Sequence, residues 1–225
     1  MIELVIFDCD GVLIDSEVLS FAVDTQVLAG HGIEMTADVL ARRYGGVSYG
    51  EMIAQLNDQH TTAIDAVAYQ AECEGVLEGL FETDLRAISG ISDVLKSLAV
   101  PCCVASASDL ARLDKCLGVT GLLEFFGPRI FSVEEVKHGK PAPDIFLHAA
   151  NECGFTPEKS IVIEDSPAGI VAAQAAGMRA VGFLGGGHRS PEDADILMDA
   201  GAEDVVGNGA ELHRYLANIG LVMAA

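Results

Sequence analysis

The residues with the clearest chemical potential in this sequence are Asp8 and Asp10, which follow the run of residues 3–7 and stand just before Gly11. The β-branched and aromatic composition of that run predicts a strand buried on both faces. Since side chains alternate along a strand, both carboxylates should project the same way from its carboxyl end. Two such carboxylates repel each other unless a cation lies between them or one holds a proton. The alternative is a plain Asx-rich turn after a strand.

Other polar residues follow further predicted strands. Ser106 ends one apolar run, Glu164 and Asp165 end another, and Lys140 lies in a loop before a helix. Ligands of an open parallel sheet bind outside the carboxyl ends of its strands, so these groups should converge on one crevice. Hard oxygen ligands with room for water suit Mg²⁺. A carboxylate nucleophile, an acid–base neighbour and cationic charge are what aspartyl-phosphate chemistry requires.

The elements that must position these residues follow two patterns. From residue 88 onward strands alternate with helices of about ten residues, which indicates βαβ units and a doubly wound, Rossmann-like parallel sheet in an α/β core. Residues 16–86 show helical periodicity and no strand. We therefore predict a catalytic core of residues 1–15 and 87–225, interrupted by a helical insertion of residues 16–86. The predicted strands are residues 3–7, 100–105, 129–132, 161–163, 180–183 and 204–206.

Composition excludes several classes of protein. The 225 residues are half hydrophobic and carry a formal charge of −21, which argues against binding to nucleic acid or to an anionic membrane surface. The six cysteines form no CxxC pair and indicate buried thiols in a reducing compartment. We find no signal peptide, and no apolar stretch approaches the roughly 20 residues of a membrane span. A cytoplasmic protein is expected, with oligomeric state left open and a monomer preferred.

Four short motifs, in order along the chain, resemble those of the haloacid dehalogenase-type hydrolase superfamily. They are residues 8–13 (DCDGVL), Ser106, Lys140 with its following proline, and residues 164–166 (EDS). The resemblance is strongest to the phosphatase and β-phosphoglucomutase-like branch, which carries a helical cap after the first motif. It covers nearly the whole chain and implies a phosphoric monoester hydrolase that acts on a small phosphorylated metabolite, a sugar or sugar-acid phosphate.

The same resemblance implies a role for each motif residue. Asp8 would be the nucleophile, and Asp10 the general acid for the leaving alcohol and then the base for water. Ser106 would hydrogen-bond the phosphoryl oxygens, and Lys140 would neutralise the nucleophile and the transferred group. The implied Mg²⁺ ligands are Asp8, the backbone carbonyl of Asp10, Asp165, and Glu164 directly or through water. The implied substrate contacts are Gly11, Arg43, Gly46, Ser106 and Ala107.

Alternative readings remain for several of these residues. Ser108 and Asp109 are expected to cap the next helix rather than to touch substrate, and His138 and His188 are expected at the surface. Arg43 either binds a substrate anion or pairs with a neighbouring acid on the surface. Residues 185–187, three glycines, are expected to form a flexible turn.

Alternative functions remain as well. Residues 42–48 resemble the cap's substrate-specificity loop, but Tyr49 stands where the mutase pattern has a basic residue, and residues 16–86 contain no lysine. Both observations favour hydrolysis over a phosphosugar mutase. A dehalogenase would not need the acidic residues for Mg²⁺, and a catalytically idle binding protein would usually lack one of the three key aspartates.

Overall fold

The computed structural model describes residues 1–223, which divide into two compact units. One unit joins Met1–Asp15 to the chain from Arg86 onward, and the other is Ser16–Leu85. Each unit has its own secondary structure and its own interior.

The first unit contains a six-stranded sheet in the order β3-β2-β1-β4-β5-β6, with every neighbouring pair parallel. This confirms the predicted doubly wound, Rossmann-like α/β fold. Because the strand order reverses beside β1, the carboxyl end of β1 is where such a sheet forms its ligand crevice. The strands are β1 (Leu4–Phe7), β2 (Cys102–Ser106), β3 (Ile130–Ser132), β4 (Ser160–Glu164), β5 (Arg179–Phe183) and β6 (Asp204–Val206).

Helices cover the sheet, and three of them, α6, α9 and α11, begin at a residue whose side chain caps the helix. Asp109 accepts a hydrogen bond from the backbone of Arg112, and Ser166 caps its helix with proline in the next position. The helices of this unit are α5 (Ile91–Ser97), α6 (Leu110–Val119), α7 (Leu123–Phe126), α8 (Asp144–Glu152), α9 (Pro167–Ala175), α10 (Ala194–Asp199) and α11 (Gly209–Asn218), with 3₁₀ turns at Val133–Glu135, Pro157–Lys159 and Pro191–Asp193.

One hydrophobic core of this unit lies between the sheet and helices α8 to α10. Leu4 and Ile6 of β1 and Phe146 of α8 are fully buried there. Each such side chain contributes roughly 1.5–3 kcal/mol by leaving water. This packing holds the carboxyl ends of β1, β2 and β4 in a fixed register.

The second unit consists of four helices, α1 (Ser16–Gly30), α2 (Ala37–Tyr44), α3 (Tyr49–His60) and α4 (Ala66–Thr83). Thr36, Ser48 and Asp65 each cap the following helix through their side chains. Between α1 and α4 the buried carboxylate of Asp24 accepts a hydrogen bond of 2.7 Å from Tyr69. Among residues 1–223, no helix is both long and apolar enough to cross a membrane.

Candidate active site

The first strand delivers Asp8 to the centre of the sheet edge. Phe7 is in register with Val104 of β2 and with Ile163 of β4, and the Asp8 backbone N–H donates to the Ile163 carbonyl at 3.0 Å. After Asp10 the chain turns sharply through Gly11, whose φ of 77° lies in the left-handed region that glycine adopts without strain. Asp8 therefore leaves the strand at a point fixed by two neighbouring strands.

Lys140 lies between two carboxylates from different strands. Its Nζ is 2.6 Å from Asp8 Oδ1 and 2.6 Å from Glu164 Oε1, and its side chain is 8% exposed. Burial alone would lower the pKa of Lys140, but the charges of Asp8 and Glu164 outweigh burial and raise it. Burial raises the pKa of Asp8, and Glu164 and Asp165 add to that effect while Lys140 opposes it. Lys140 therefore supplies the positive charge that offsets the buried carboxylates of Asp8 and Glu164.

Three buried carboxylates could hold a metal ion. Asp8, Glu164 and Asp165 each offer an oxygen, and these oxygens all lie within 4.8 Å of one another. Anionic oxygen donors at this spacing suit a hard divalent cation such as Mg²⁺. Glu164 is already engaged, because its Oε2 accepts from the backbone and hydroxyl of Ser166 at 2.7 and 2.9 Å. Whether Glu164 would bind directly or through water stays a prediction.

The side chain of Asp10 is directed towards the start of α6. Arg112 Nη2 donates to its Oδ1 at 2.8 Å, and Ser108 Oγ donates to its Oδ2 at 2.8 Å. Burial lowers the pKa of Arg112, but Asp10 reverses that effect and raises it. The prediction that Ser108 caps the helix is wrong, because Asp109 fills that position and Ser108 binds Asp10 instead. The implied metal contact of Asp10 was through its backbone carbonyl and stays a prediction.

Ser106 ends β2 beside these carboxylates and is buried. Its Oγ accepts from the backbone N–H of Ser108 at 3.1 Å, so its own proton can be donated to another oxygen. Ala107 follows it and is exposed. This arrangement is compatible with the predicted contacts of Ser106 and Ala107 with a phosphoryl group.

Two residues after β5 were missed as members of the site. His188 Nε2 lies 3.0 Å from Asp165 Oδ2, and Arg189 Nε lies 3.2 Å from the same oxygen. The prediction that His188 lies on the surface is wrong, because its side chain is 6% exposed. Both residues could have been predicted from their position, because they follow a strand whose carboxyl end lies at the same edge of the sheet as Asp8. His138, in contrast, is exposed as predicted and contacts Asp144.

The glycine-rich turn before His188 packs against the first loop of the core. Gly187 N–H donates to Asp15 Oδ1 at 2.9 Å, and a Cβ on Gly186 would lie 3.1 Å from the Gly11 carbonyl oxygen. The turn of residues 185–187 is therefore held against the first loop by a hydrogen bond and by close packing.

The two predicted substrate contacts outside the core lie in the helical unit. The Arg43 guanidinium stands 5.4 Å from the centre of the Tyr44 ring, and Gly46 lines a cavity of that unit with Asp24 and Tyr49. Gly46 has a φ of 78°, which lies in the left-handed region that glycine adopts without strain. Their roles in substrate binding stay predictions.

Gly11 offers a sharp test of the metal site. A Cβ at this position would overlap the Asp165 carboxylate, with Asp165 Cγ at 2.7 Å. Gly11→Ala is therefore expected to displace Asp165, weaken Mg²⁺ binding and lower turnover at least about tenfold, as loss of a metal-orienting contact does.

The matched control is Gly154→Ala, because Gly154 also has a positive φ (79°) but has no atom within 4 Å of its added Cβ. It should show only the backbone strain, about 1–2 kcal/mol of stability. Isothermal titration with Mg²⁺ and phosphate release check both variants, and equal Mg²⁺ affinity in the two would contradict the assignment.

The chain is similar to known phosphatases in sequence and to a known hydrolase in structure. The chain is 29% identical over 190 residues to 6-phosphogluconate phosphatase of Escherichia coli, covering 84% of this chain and 86% of that protein. It is 31% identical over 180 residues to the fructose-1-phosphate phosphatase of the same organism, covering 78% and 93% of the two chains. A solved structure of a haloacid dehalogenase family hydrolase from Deinococcus radiodurans, with bound phosphate and sodium, superimposes with a TM-score of 0.88 at 34% identity and covers 100% of this chain and 99% of its own.

The fold, the lysine–carboxylate site and these relatives define a phosphoric monoester hydrolase, as predicted. The model of the haloacid dehalogenase-like hydrolase family matches residues 2–177. The chain belongs to that family, which confirms the resemblance seen in its four motifs.

Proposed function

We propose that this protein is a Mg²⁺-dependent phosphatase that hydrolyses a small phosphorylated metabolite, a sugar or sugar-acid phosphate, through an aspartyl-phosphate on Asp8. The observation that carries the proposal is the buried Lys140 ammonium, held 2.6 Å from Asp8 and from Glu164 beside Asp165. In this site Asp8 would supply the nucleophile, and Lys140 would supply the positive charge that stabilises the transferred phosphoryl group.

The reaction would proceed in two displacements at phosphorus. An Asp8 carboxylate oxygen forms a bond to phosphorus while the ester P–O bond breaks, and the leaving alkoxide takes a proton from the Asp10 carboxyl. A water oxygen then attacks the phosphorus, its proton passes to the Asp10 carboxylate, and the Asp8–phosphorus bond breaks to release inorganic phosphate. Lys140 and Ser106 would hold the phosphoryl oxygens through both steps.

The residues present fit a divalent cation. Asp8, Asp165, Glu164 and the backbone carbonyl of Asp10 would hold Mg²⁺, since the first three place oxygens within 4.8 Å of one another. When bound, Mg²⁺ would offset the negative charge of the carboxylates and of the phosphoryl oxygens. The buried, mutually repelling carboxylates are the structural reason to expect it.

The substrate class rests on the relatives and on the helical unit. The two Escherichia coli relatives are named for phosphorylated sugar-type substrates. The helical unit would act as the specificity domain, with Arg43 and Gly46 as its contacts. A mutase is not favoured, because Tyr49 stands where the mutase pattern has a basic residue and residues 16–86 contain no lysine.

The setting we propose is the cytoplasm, with a small metabolite as partner. All six cysteines are free thiols and five are buried, which suits a reducing compartment. The strong negative charge of −21 disfavours nucleic acid and anionic lipid as partners.

The test is phosphate release from a panel of sugar phosphates, sugar-acid phosphates, phosphoglycolate and β-glucose 1-phosphate. With Mg²⁺ we expect release from one chemical group of the panel, and with EDTA we expect that release to fall to background. Isomerisation of β-glucose 1-phosphate without net release would replace the phosphatase by a mutase. If no compound of the panel released phosphate with Mg²⁺ present, the proposed substrate class would be contradicted.

A further inference from the structure

The Asp10 carboxylate is held at both of its oxygens by residues to which no role has been assigned. Arg112 Nη2 lies 2.8 Å from Oδ1 and Ser108 Oγ lies 2.8 Å from Oδ2. The Arg112 and Asp10 side chains are 29% and 19% exposed, so the ion pair is partly shielded from water. Two contacts from different residues to different oxygens fix the carboxylate in both position and rotation.

We propose that Arg112, assisted by Ser108, is a positioning residue that sets the orientation of the Asp10 carboxylate for proton transfer to the leaving group. This inference rests on the proposed function, in which Asp10 protonates the departing alkoxide. Arg112 acts through Asp10 and needs no contact with the substrate.

The position of Arg112 in its helix shows that the helix itself gives no reason for a cation there. Arg112 is in the first turn of α6 (Leu110–Val119), where the helix dipole disfavours a cation. The end of that helix is already capped, because Asp109 Oδ1 accepts from the Arg112 backbone N–H at 2.8 Å. The guanidinium is therefore not needed to satisfy the helix, and its placement is explained by the carboxylate of Asp10.

Ser108 is itself held in place from two sides. Ser132 Oγ, at the end of β3, donates to the Ser108 carbonyl at 2.8 Å, and the Ser108 N–H donates to Ser106 Oγ at 3.1 Å. One short loop thus connects the predicted phosphoryl contact of Ser106 with the acid–base carboxylate of Asp10. This connection fixes the two groups relative to each other before substrate binds.

In the first displacement, the orientation of Asp10 matters only where the leaving group needs a proton. An alkoxide leaving from a sugar or glycerol phosphate needs one, whereas p-nitrophenolate departs without it. The value of kcat/KM reports the first displacement and excludes the later hydrolysis of the aspartyl-phosphate. Comparing kcat/KM for the two kinds of ester therefore isolates the step in which Asp10 acts as an acid.

The experiment measures kcat/KM of wild type and Arg112→Met on the preferred alkyl phosphate and on p-nitrophenyl phosphate, both with Mg²⁺. For Arg112→Met we expect kcat/KM on the alkyl phosphate to fall roughly tenfold to hundredfold, while kcat/KM on the aryl phosphate stays within about threefold. The expected loss is a part of the roughly 10²–10⁴-fold acceleration that general acid–base catalysis supplies. Arg112→Lys should recover part of the alkyl value, and Ser108→Ala should show a smaller loss with the same selectivity. The control is Arg179→Met, which removes an arginine–glutamate pair with Glu203 elsewhere on the sheet and should change neither value.

Several results would overturn the inference. Equal losses on both esters would mean that Arg112 only supports the local structure, and a gain on the alkyl ester would mean that it restrains Asp10. If Arg112→Met fails to fold, the alkyl-to-aryl ratio of Arg112→Lys and Ser108→Ala decides in its place, and an unchanged ratio in both refutes the proposal. Failure of the proposed function is distinguishable, because wild type itself would then hydrolyse neither ester.

Discussion

Asp8→Asn is expected to fold normally and to lose phosphate release by about 10⁴-fold or more, since loss of a nucleophile costs up to about 10⁶. The amide has the shape of the carboxylate, and its oxygen can still accept the hydrogen bond that Lys140 donates to Asp8 at 2.6 Å. It lacks the anionic oxygen that would attack phosphorus. Phosphate release on the preferred substrate, together with circular dichroism for the fold, measures the effect.

The control for this variant is Asp109→Asn. Asp109 is also an aspartate at the carboxyl edge of the sheet, but its side chain caps α6, and asparagine caps a helix equally well. This variant should retain turnover within about twofold, in keeping with a conservative surface change. Near-normal activity in Asp8→Asn would show that another group attacks the phosphorus, and the aspartyl-phosphate would have to be abandoned.

The fold was predictable wherever local pattern and burial agree. The central strands β1 and β4 are continuous apolar runs because helices cover both faces of a parallel sheet, so sequence alone locates them. The short helices α7 and α10 were not predicted, because four and six residues are too few to show helical periodicity. Helix α6 continues through Gly118 to Val119, although glycine is a poor helix former. Tertiary packing outweighs the low helix propensity of one glycine.

The site was predictable for residues at strand ends and much less so for their partners. Asp8 and Asp165 were named because strand ends of a parallel sheet share one edge. Lys140 was named as part of a loop before a helix and as the third motif of the family resemblance. That Lys140 bridges Asp8 and Glu164 could not be read from sequence, since the three residues are far apart in the chain and a lysine is usually exposed.

The missed contacts have the same cause. Arg112 stands inside an ordinary amphipathic helix, and only the bend of the chain after β2 brings it to Asp10. His188 follows three glycines, whose turn could not be placed without the sheet that holds it. Sequence therefore predicts which groups reach the crevice, whereas the pairing among those groups depends on tertiary geometry.

Lys140→Met should be inactive and, without Mg²⁺, markedly less stable. Its side chain is 8% exposed, and its ammonium lies 2.6 Å from the carboxylates of Asp8 and Glu164, with Asp165 in the same cluster. Removing one partner of a buried ion pair typically costs about 3–5 kcal/mol, because the remaining charge is left uncompensated. Urea unfolding in EDTA measures this loss, and phosphate release should fall at least about 10³-fold with the charge that stabilises the transferred group.

Mg²⁺ distinguishes a charge effect from a packing effect in this variant. If the instability arises from repulsion among Asp8, Glu164 and Asp165, a divalent cation bound by them should raise the melting temperature of Lys140→Met more than that of wild type. The control is Lys159→Met, which removes a lysine 2.9 Å from Glu3 with both side chains more than 40% exposed, and it should cost at most about 1 kcal/mol. Two results would contradict this prediction: equal stability of Lys140→Met and Lys159→Met in EDTA, or no larger gain in melting temperature from Mg²⁺ than wild type shows. Either would mean that the three carboxylates do not repel one another strongly enough to require a bound cation.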